Sequence, residues 1–204
     1  MLASCGGVPA YTPQTYIVRP HDTLYSIAWR HDLDYRELAR WNRLGPDFRI
    51  EVGQILLLRP GRPPAASSPR TAVPEAAAAP ASPPANAWVW PTVCAAAPRP
   101  VPGGGILLLG QLGQPIRAAA AGRVVYLGNG LRGYGNLIII KHGEDMLSAY
   151  AHTVEPTVRE GQQVSAGEQI ARMGTGAHQI PALYFEIRLA GRPVDPLAYL
   201  PVMK

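Results

Sequence analysis

The sequence predicts an α+β protein: a small βααβ unit over residues 15–59, a Pro/Ala-rich linker over 60–87 and a β-rich unit over 88–204. Three observations carry this. Residues 16–58 pass from strand-like to helical periodicity and back; residues 60–87 are mostly Pro, Ala, Ser and Arg, with no periodic apolar face; from residue 88 onward short β-prone runs alternate with glycine corners. At 204 residues and 47% hydrophobic content, there is enough apolar material for two small cores.

In the first unit, Tyr16-Ile17-Val18-Arg19 reads as a strand. Leu24, Ile27 and Ala28 then recur at helical spacing, with Asp22 as the expected N-cap. A second helix starts at Asp34, which forms a capping-box-like pair with Glu37, carries Leu38, Ala39 and Trp41, and ends at Asn42 and Gly45. Gln54 to Leu58 reads as the return strand. This order, with Asp22-Thr23-Leu24, Ile27-Ala28, Leu38, Trp41-Asn42 and Val52-Gly53-Gln54-Ile55-Leu56, resembles a LysM domain. The resemblance implies peptidoglycan glycan strands as ligand. It places the binding groove between His21, Asp22, Thr23 and Leu24 on one wall and Pro46, Asp47, Phe48, Arg49 and Ile50 on the other. Leu24 and Ile50 also suit a core, Asp22 a cap, and His21 stands where the family usually has Gly, narrowing the groove.

Residues 1–14 contain Leu2-Ala3-Ser4-Cys5, which matches the lipobox of bacterial lipoproteins and makes Cys5 the expected lipidation site, although only four residues precede it and no signal-peptide h-region is present. Lipidation would place the protein in the periplasm of a Gram-negative bacterium, anchored to the outer membrane. The linker is expected to be disordered or partly polyproline II; at ~3.1 Å per residue it would reach roughly 85 Å and let the second unit search around a wall-anchored first one. The formal charge is +5, which favours anionic surfaces such as cell-wall polymers. Nucleic acid is not expected, because the arginines are scattered rather than interleaved with aromatics. No run of 18 apolar residues spans a membrane. Cys5 and Cys94 show no disulfide-framework spacing, and Cys94 is expected to be a buried small hydrophobe.

In the second unit, strands are expected at Arg123–Tyr126, Leu137–Lys141, Met146–Ala151, Gln169–Arg172 and Leu183–Arg188. Gly128-Asn129-Gly130 and Gly133-Tyr134-Gly135 mark tight corners and, lacking a strand-Gly-helix order, are not a phosphate loop. His142 closes an apolar run and reads as a packed core histidine, while His178 lies in a Gly-rich loop and reads as exposed.

Gly122-Arg123-Val124-Val125-Tyr126, Leu131 to Asn136, Tyr150-Ala151-His152, Ala182 to Arg188 and Val194-Asp195-Pro196-Leu197 together resemble the LytM (M23) peptidase family from about Trp90 to Leu200. Active members hold zinc with a His-x-Gly-x-Asp pair and the second His of a His-Leu-His strand, and two further histidines handle the water. By this alignment the three ligand positions are Gly103, Leu107 and Tyr184, and one water-handling position is Ala182, so only His152 survives as a vestige of the catalytic set. A catalytic zinc needs about three N, O or S ligands and an open position for water. No metal and no cofactor is therefore expected. The combination resembles the lipoprotein activators of periplasmic, zinc-dependent N-acetylmuramoyl-L-alanine amidases. It implies a non-catalytic protein whose degenerate groove engages the amidase and promotes septal peptidoglycan splitting and daughter-cell separation. The expected groove residues are Leu107, Tyr150, His152 and Tyr184, with Glu186 and Arg188 at the rim. Two other readings remain open: a zinc endopeptidase with a displaced site built from His142, His152, His178 and Glu186, and a passive peptidoglycan-binding scaffold.

Overall fold

A computed structural model describes residues 14–58, 88–176 and 179–202. Cys5, the linker and His178 lie outside the described residues.

The first unit pairs β1 (Thr15–Ile17) antiparallel with β2 (Ile55–Leu57) around α1 (Leu24–Arg30) and α2 (Tyr35–Trp41). The cap of α1 is Thr23 rather than Asp22: Thr23 Oγ1 accepts from Ser26 N at 3.1 Å and Ser26 Oγ accepts from Thr23 N at 3.0 Å, a reciprocal capping box. Asp22 is drawn away to Tyr16 Oη, Arg19 N and Arg30. Asp34 caps α2 as expected, through the amides of Arg36 and Glu37, but Glu37 turns to Arg40 instead of closing a box. Asn42 ends α2 and bridges it to β2: its side-chain amide donates to Leu38 O and Leu57 O, and its Oδ1 accepts from Leu57 N at 2.7 Å.

The second unit contains β3 (Arg99–Pro100), β4 (Ile106–Leu109), β5 (Pro115–Arg117), β6 (Gly122–Gly128), β7 (Leu137–His142), β8 (Met146–Ala151), β9 (Thr153–Val154), β10 (Gln163–Val164), β11 (Gln169–Met173), β12 (Ala182–Leu189) and β13 (Arg192–Val194). An eight-stranded antiparallel sheet runs β10-β6-β7-β8-β12-β4-β3, with β13 beside the far end of β12; β5-β11-β9 form a second, three-stranded sheet. Strand alternation sorts the large sheet into two faces. Ile138, Ile140, Tyr150, Leu183, Phe185 and Ile187 point inward and pack with Ile116, Ile170 and Met173 of the small sheet.

His142 belongs to this inner face, in a buried polar chain. Its Nδ1 is 2.8 Å from Ala121 O, its Nε2 is 2.6 Å from Ser148 Oγ, and Ser148 Oγ is 2.9 Å from Tyr150 Oη, which accepts from Ala119 N. Burial pushes the His142 pKa down to about 4, with the Ala121 carbonyl opposing, and burial pushes Tyr150 up to about 12. The chain is held in its neutral form, with His142 donating through Nδ1 and accepting at Nε2.

The opposite face is covered by the first unit. Leu137, Ile139, Leu147 and Ala149 are at most 4% exposed, because they share one apolar cluster with Trp29, Tyr35 and the core of α1 and α2. Four such side chains left in water would forfeit roughly 1.5–3 kcal/mol for each large one. At the edges, Tyr35 Oη donates to Glu144 O, and Arg36 pairs with Asp145 and Glu144. Gly191, at φ +77 in the turn between β12 and β13, meets α2's entry so closely that a Cβ would lie 2.6 Å from the backbone of Leu33 and Asp34. The expectation of a second unit roaming on its tether is corrected accordingly: the apolar outer face of β7 and β8 holds the two units together.

Candidate functional site

The covered face continues past the first unit into an open groove. Here β12 lies between β8 and β4, with Tyr184 opposite Leu107 on one side and Ala151 on the other. Leu107, Leu109, Ala182 and Tyr184 line the groove from these strands; Tyr134 and His152 close it from the loops. Val101 and Ile180 extend it to a mainly apolar volume of about 670 Å³.

Tyr184 is fixed rather than free. Its hydroxyl lies 2.8 Å from Gly104 O and 2.7 Å from Glu186 Oε2, two acceptors that share one proton. Burial, then Glu186, holds its pKa well above the ordinary phenol value, so it remains a donor. Gly105, at φ +84, permits this approach: a Cβ there would sit 2.7 Å from Tyr184 Oη. The Tyr134 ring meets Tyr184 at 5.6 Å on one side and Trp29 at 6.5 Å on the other. His152 has φ +62, its amide donates to Tyr134 O, and burial lowers its pKa.

Behind Tyr184 a buried clamp runs into the first unit. Arg188 Nε donates to Glu186 Oε1 at 2.7 Å, and its Nη1 donates to Trp29 O at 3.0 Å and pairs with Asp32 at 3.1 Å. Its guanidinium stacks 3.8 Å from the Trp29 ring centre. Glu186 and Arg188 are 1% and 4% exposed.

A second cleft, of about 420 Å³, opens between the two units. It gathers Asp22, Thr23 and Leu24 with Pro46 to Ile50, and its other wall comes from β6, β7 and Gly161 of the second unit. His21 is exposed at φ +66 and does not line it. Leu24 is 1% exposed and chiefly a core residue.

Comparison with known proteins assigns both units. Residues 16–59 match the LysM domain and residues 102–196 match Peptidase family M23. A Pseudomonas aeruginosa protein named lipoprotein NlpD/LppB homolog is 41% identical, over 96% of this chain and 82% of its own length. The chain belongs to the NlpD/LppB family. Within it, the murein hydrolase activator NlpD of Escherichia coli is 35% identical over 96% of this chain and 70% of its own. The uncharacterized lipoprotein YgeR of the same species is 41% identical over 98% and 88%. A solved putative M23 peptidase from Pseudomonas aeruginosa superposes with a TM-score of 0.52 at 26% identity, over 58% of this chain and about half, 52%, of that one.

In this NlpD/LppB chain the donor set at the M23 ligand positions does not fit zinc. Gly103 and Leu107 carry no donor atom, and the Tyr184 hydroxyl is committed to Gly104 and Glu186 with its proton retained. Of the residues expected in the groove, the structure brings Leu107, His152 and Tyr184 together with Ala182. Four expectations are corrected. Tyr150 sits one residue out of phase with Ala151 and Ala149, so its ring lies in the inner core against Phe185. Glu186 and Arg188 are in phase with Tyr184, but the first unit covers them, so they form no rim. A displaced site of His142, His152, His178 and Glu186 has no support among the described residues: His142 and Glu186 are bound within separate buried networks on opposite faces. Cys94 is half-buried at the edge of the inner core rather than enclosed. Tyr134 was legible only as part of a glycine corner, Trp29 only as a residue of α1, and Asp32, in the turn after it, carried no signal.

Proposed function

We propose that this protein is a non-catalytic peptidoglycan-binding activator: its LysM unit holds glycan strands, and its M23-like groove engages a periplasmic zinc-dependent murein amidase. The observation that carries this is Tyr184, seated in register with Leu107 in a groove that is apolar and open, and the motif alignment that sets both at M23 ligand positions supports it. Such a surface suits a helix or loop of a partner, read through apolar anchors. The hydrolytic zinc belongs to the partner. Relatives named as murein hydrolase activators support the reading, and relatives named as lipoproteins support lipidation at Cys5 and outer-membrane anchoring. Septal splitting and daughter-cell separation follow as its setting.

Dye release from labelled sacculi by a cognate amidase tests it. Wild type should stimulate release, whereas Tyr184→Ala and Leu107→Asp should each lower stimulation at least about tenfold, with sacculus binding intact. Unchanged stimulation by both variants sinks the groove. Release by this chain alone, with about one equivalent of zinc, would make it the endopeptidase; binding without stimulation would make it a scaffold.

A further inference from the structure

The cleft beside the LysM loops is built by both units, and its charges are unevenly used. Of its acidic groups, Asp22 is paired with Arg30 and accepts from Tyr16, and Glu160 accepts the amide of Leu127 at 2.8 Å. Asp47 and Glu160 are both exposed, and neither forms an ion pair among the described residues. Among the described residues, none of the three basic side chains, Arg49, Arg123 and Lys141, has a carboxylate within ion-pair distance. Arg123 and Lys141 are neighbours across β6 and β7, on the wall contributed by the second unit. Lys141 is half-buried with its ammonium 5.6 Å from the Tyr35 ring centre, and Arg123 spends its Nε on Gly161 O, leaving its terminal nitrogens unassigned.

We propose that this wall is a carboxylate-binding extension of the glycan site, which reads the peptide stem carried by alternate sugars of uncleaved peptidoglycan. The inference rests on glycan binding by the LysM loops. A sugar chain held between residues 22–24 and 46–50 presents its substituents sideways, and the side facing the second unit carries two unpaired cations at fixed spacing. Peptidoglycan stems bring several carboxylates on a short, flexible arm, whereas a plain N-acetylglucosamine chain brings none. Charge-assisted contacts in a half-enclosed cleft are stronger than neutral ones and give the site a preference for stem-bearing strands. Those strands are the substrate of an amidase, and stripped strands are its product. The docked arrangement is required, because one wall comes from each unit.

Calorimetric titration of the full chain separates the two claims. The ligands are chitotetraose, a peptidoglycan tetrasaccharide bearing its stem peptides, and the same tetrasaccharide after amidase treatment. Wild type should bind the stem-bearing ligand about tenfold more tightly than either other, with the advantage shrinking as salt rises from about 50 to 300 mM. The double variant Arg123→Gln/Lys141→Gln should lose that advantage and keep chitotetraose affinity. Arg123→Gln alone, at an exposed position, guards against a folding defect. The extension is overturned if wild type shows no advantage, if the variants retain it, if they lose chitotetraose affinity in parallel, or if the stripped tetrasaccharide binds as tightly as the stem-bearing one. Stem-dependent binding without chitotetraose binding would remove the LysM glycan reading and leave the carboxylate site; binding of neither ligand overturns both.

Discussion

The outer face of the large sheet has two halves of similar apolar character and opposite fates. Across β7 and β8, Leu137, Ile139, Leu147 and Ala149 are buried by the LysM unit; across β4 and the start of β12, Leu107, Leu109 and Tyr184 stay partly open in the groove. The boundary is a continuous set of contacts, in which Tyr184 touches Glu186, Glu186 holds Arg188, and Arg188 grips Trp29 and Asp32. One surface is thus divided between a part covered from within the chain and a part left as an open groove, where the proposed partner would sit. The covered half is constrained by packing, whereas the open half can change its residues without loss of the core on the reverse side.

The largest effect is expected where the halves meet. Arg188→Ala leaves Glu186 buried without its cation and should cost about 3–5 kcal/mol in urea unfolding of the full chain, with a parallel change in Trp29 fluorescence as the LysM unit loosens. A loss below about 1 kcal/mol would mean that the two halves are not joined by this clamp.

Acid probes the reverse face and supplies a reference that favours neither half. His142 has its folded pKa lowered to about 4 from 6.5, so the unfolded chain takes up the proton first. Its contribution is present above pH 6.5 and is lost as pH falls towards 4, about 3 kcal/mol in all. Unfolding of wild type should be steeper over this window than that of His142→Asn; equal slopes would show that His142 is not held neutral.

The smallest change separates ring from hydroxyl at the groove. Tyr184→Phe keeps the apolar surface but strips Gly104 O and Glu186 Oε2 of a donor, at about 1–2 kcal/mol of stability. Amidase stimulation should survive within about threefold if shape carries recognition, and should fall as far as in Tyr184→Ala if the hydroxyl does.

Much of this was legible in the chain. The helices and the main strands fall where periodicity places them, and Met146–Ala151 is matched residue for residue. The reading of Gly103, Leu107, Ala182 and Tyr184 as exchanged positions rests on alignment to a motif alone. Tyr150, by contrast, was placed on the groove floor beside His152, yet strand alternation sends it to the inner core. The cap of α1 moved from Asp22 to Thr23 because two neighbouring side chains compete for one role and Tyr16 and Arg30 take Asp22. One signal was present but unused: β7 and β8 read as nearly unbroken apolar runs, Leu137 to Ile140 above all, which marks strands covered on both faces.

Sequence by itself determined the two units, through local periodicity, and their families, through motif resemblance, because both are carried by residues close together in the chain. Only the tertiary structure decided which apolar face is filled by the chain's own LysM unit, that Glu186 and Arg188 form a clamp instead of a rim, and that Arg123 and Lys141 share a cleft with residues 22–25 and 46–50. Those outcomes depend on contacts between residues as far apart as Trp29 and Arg188, across a linker whose composition carries no record of how its ends meet.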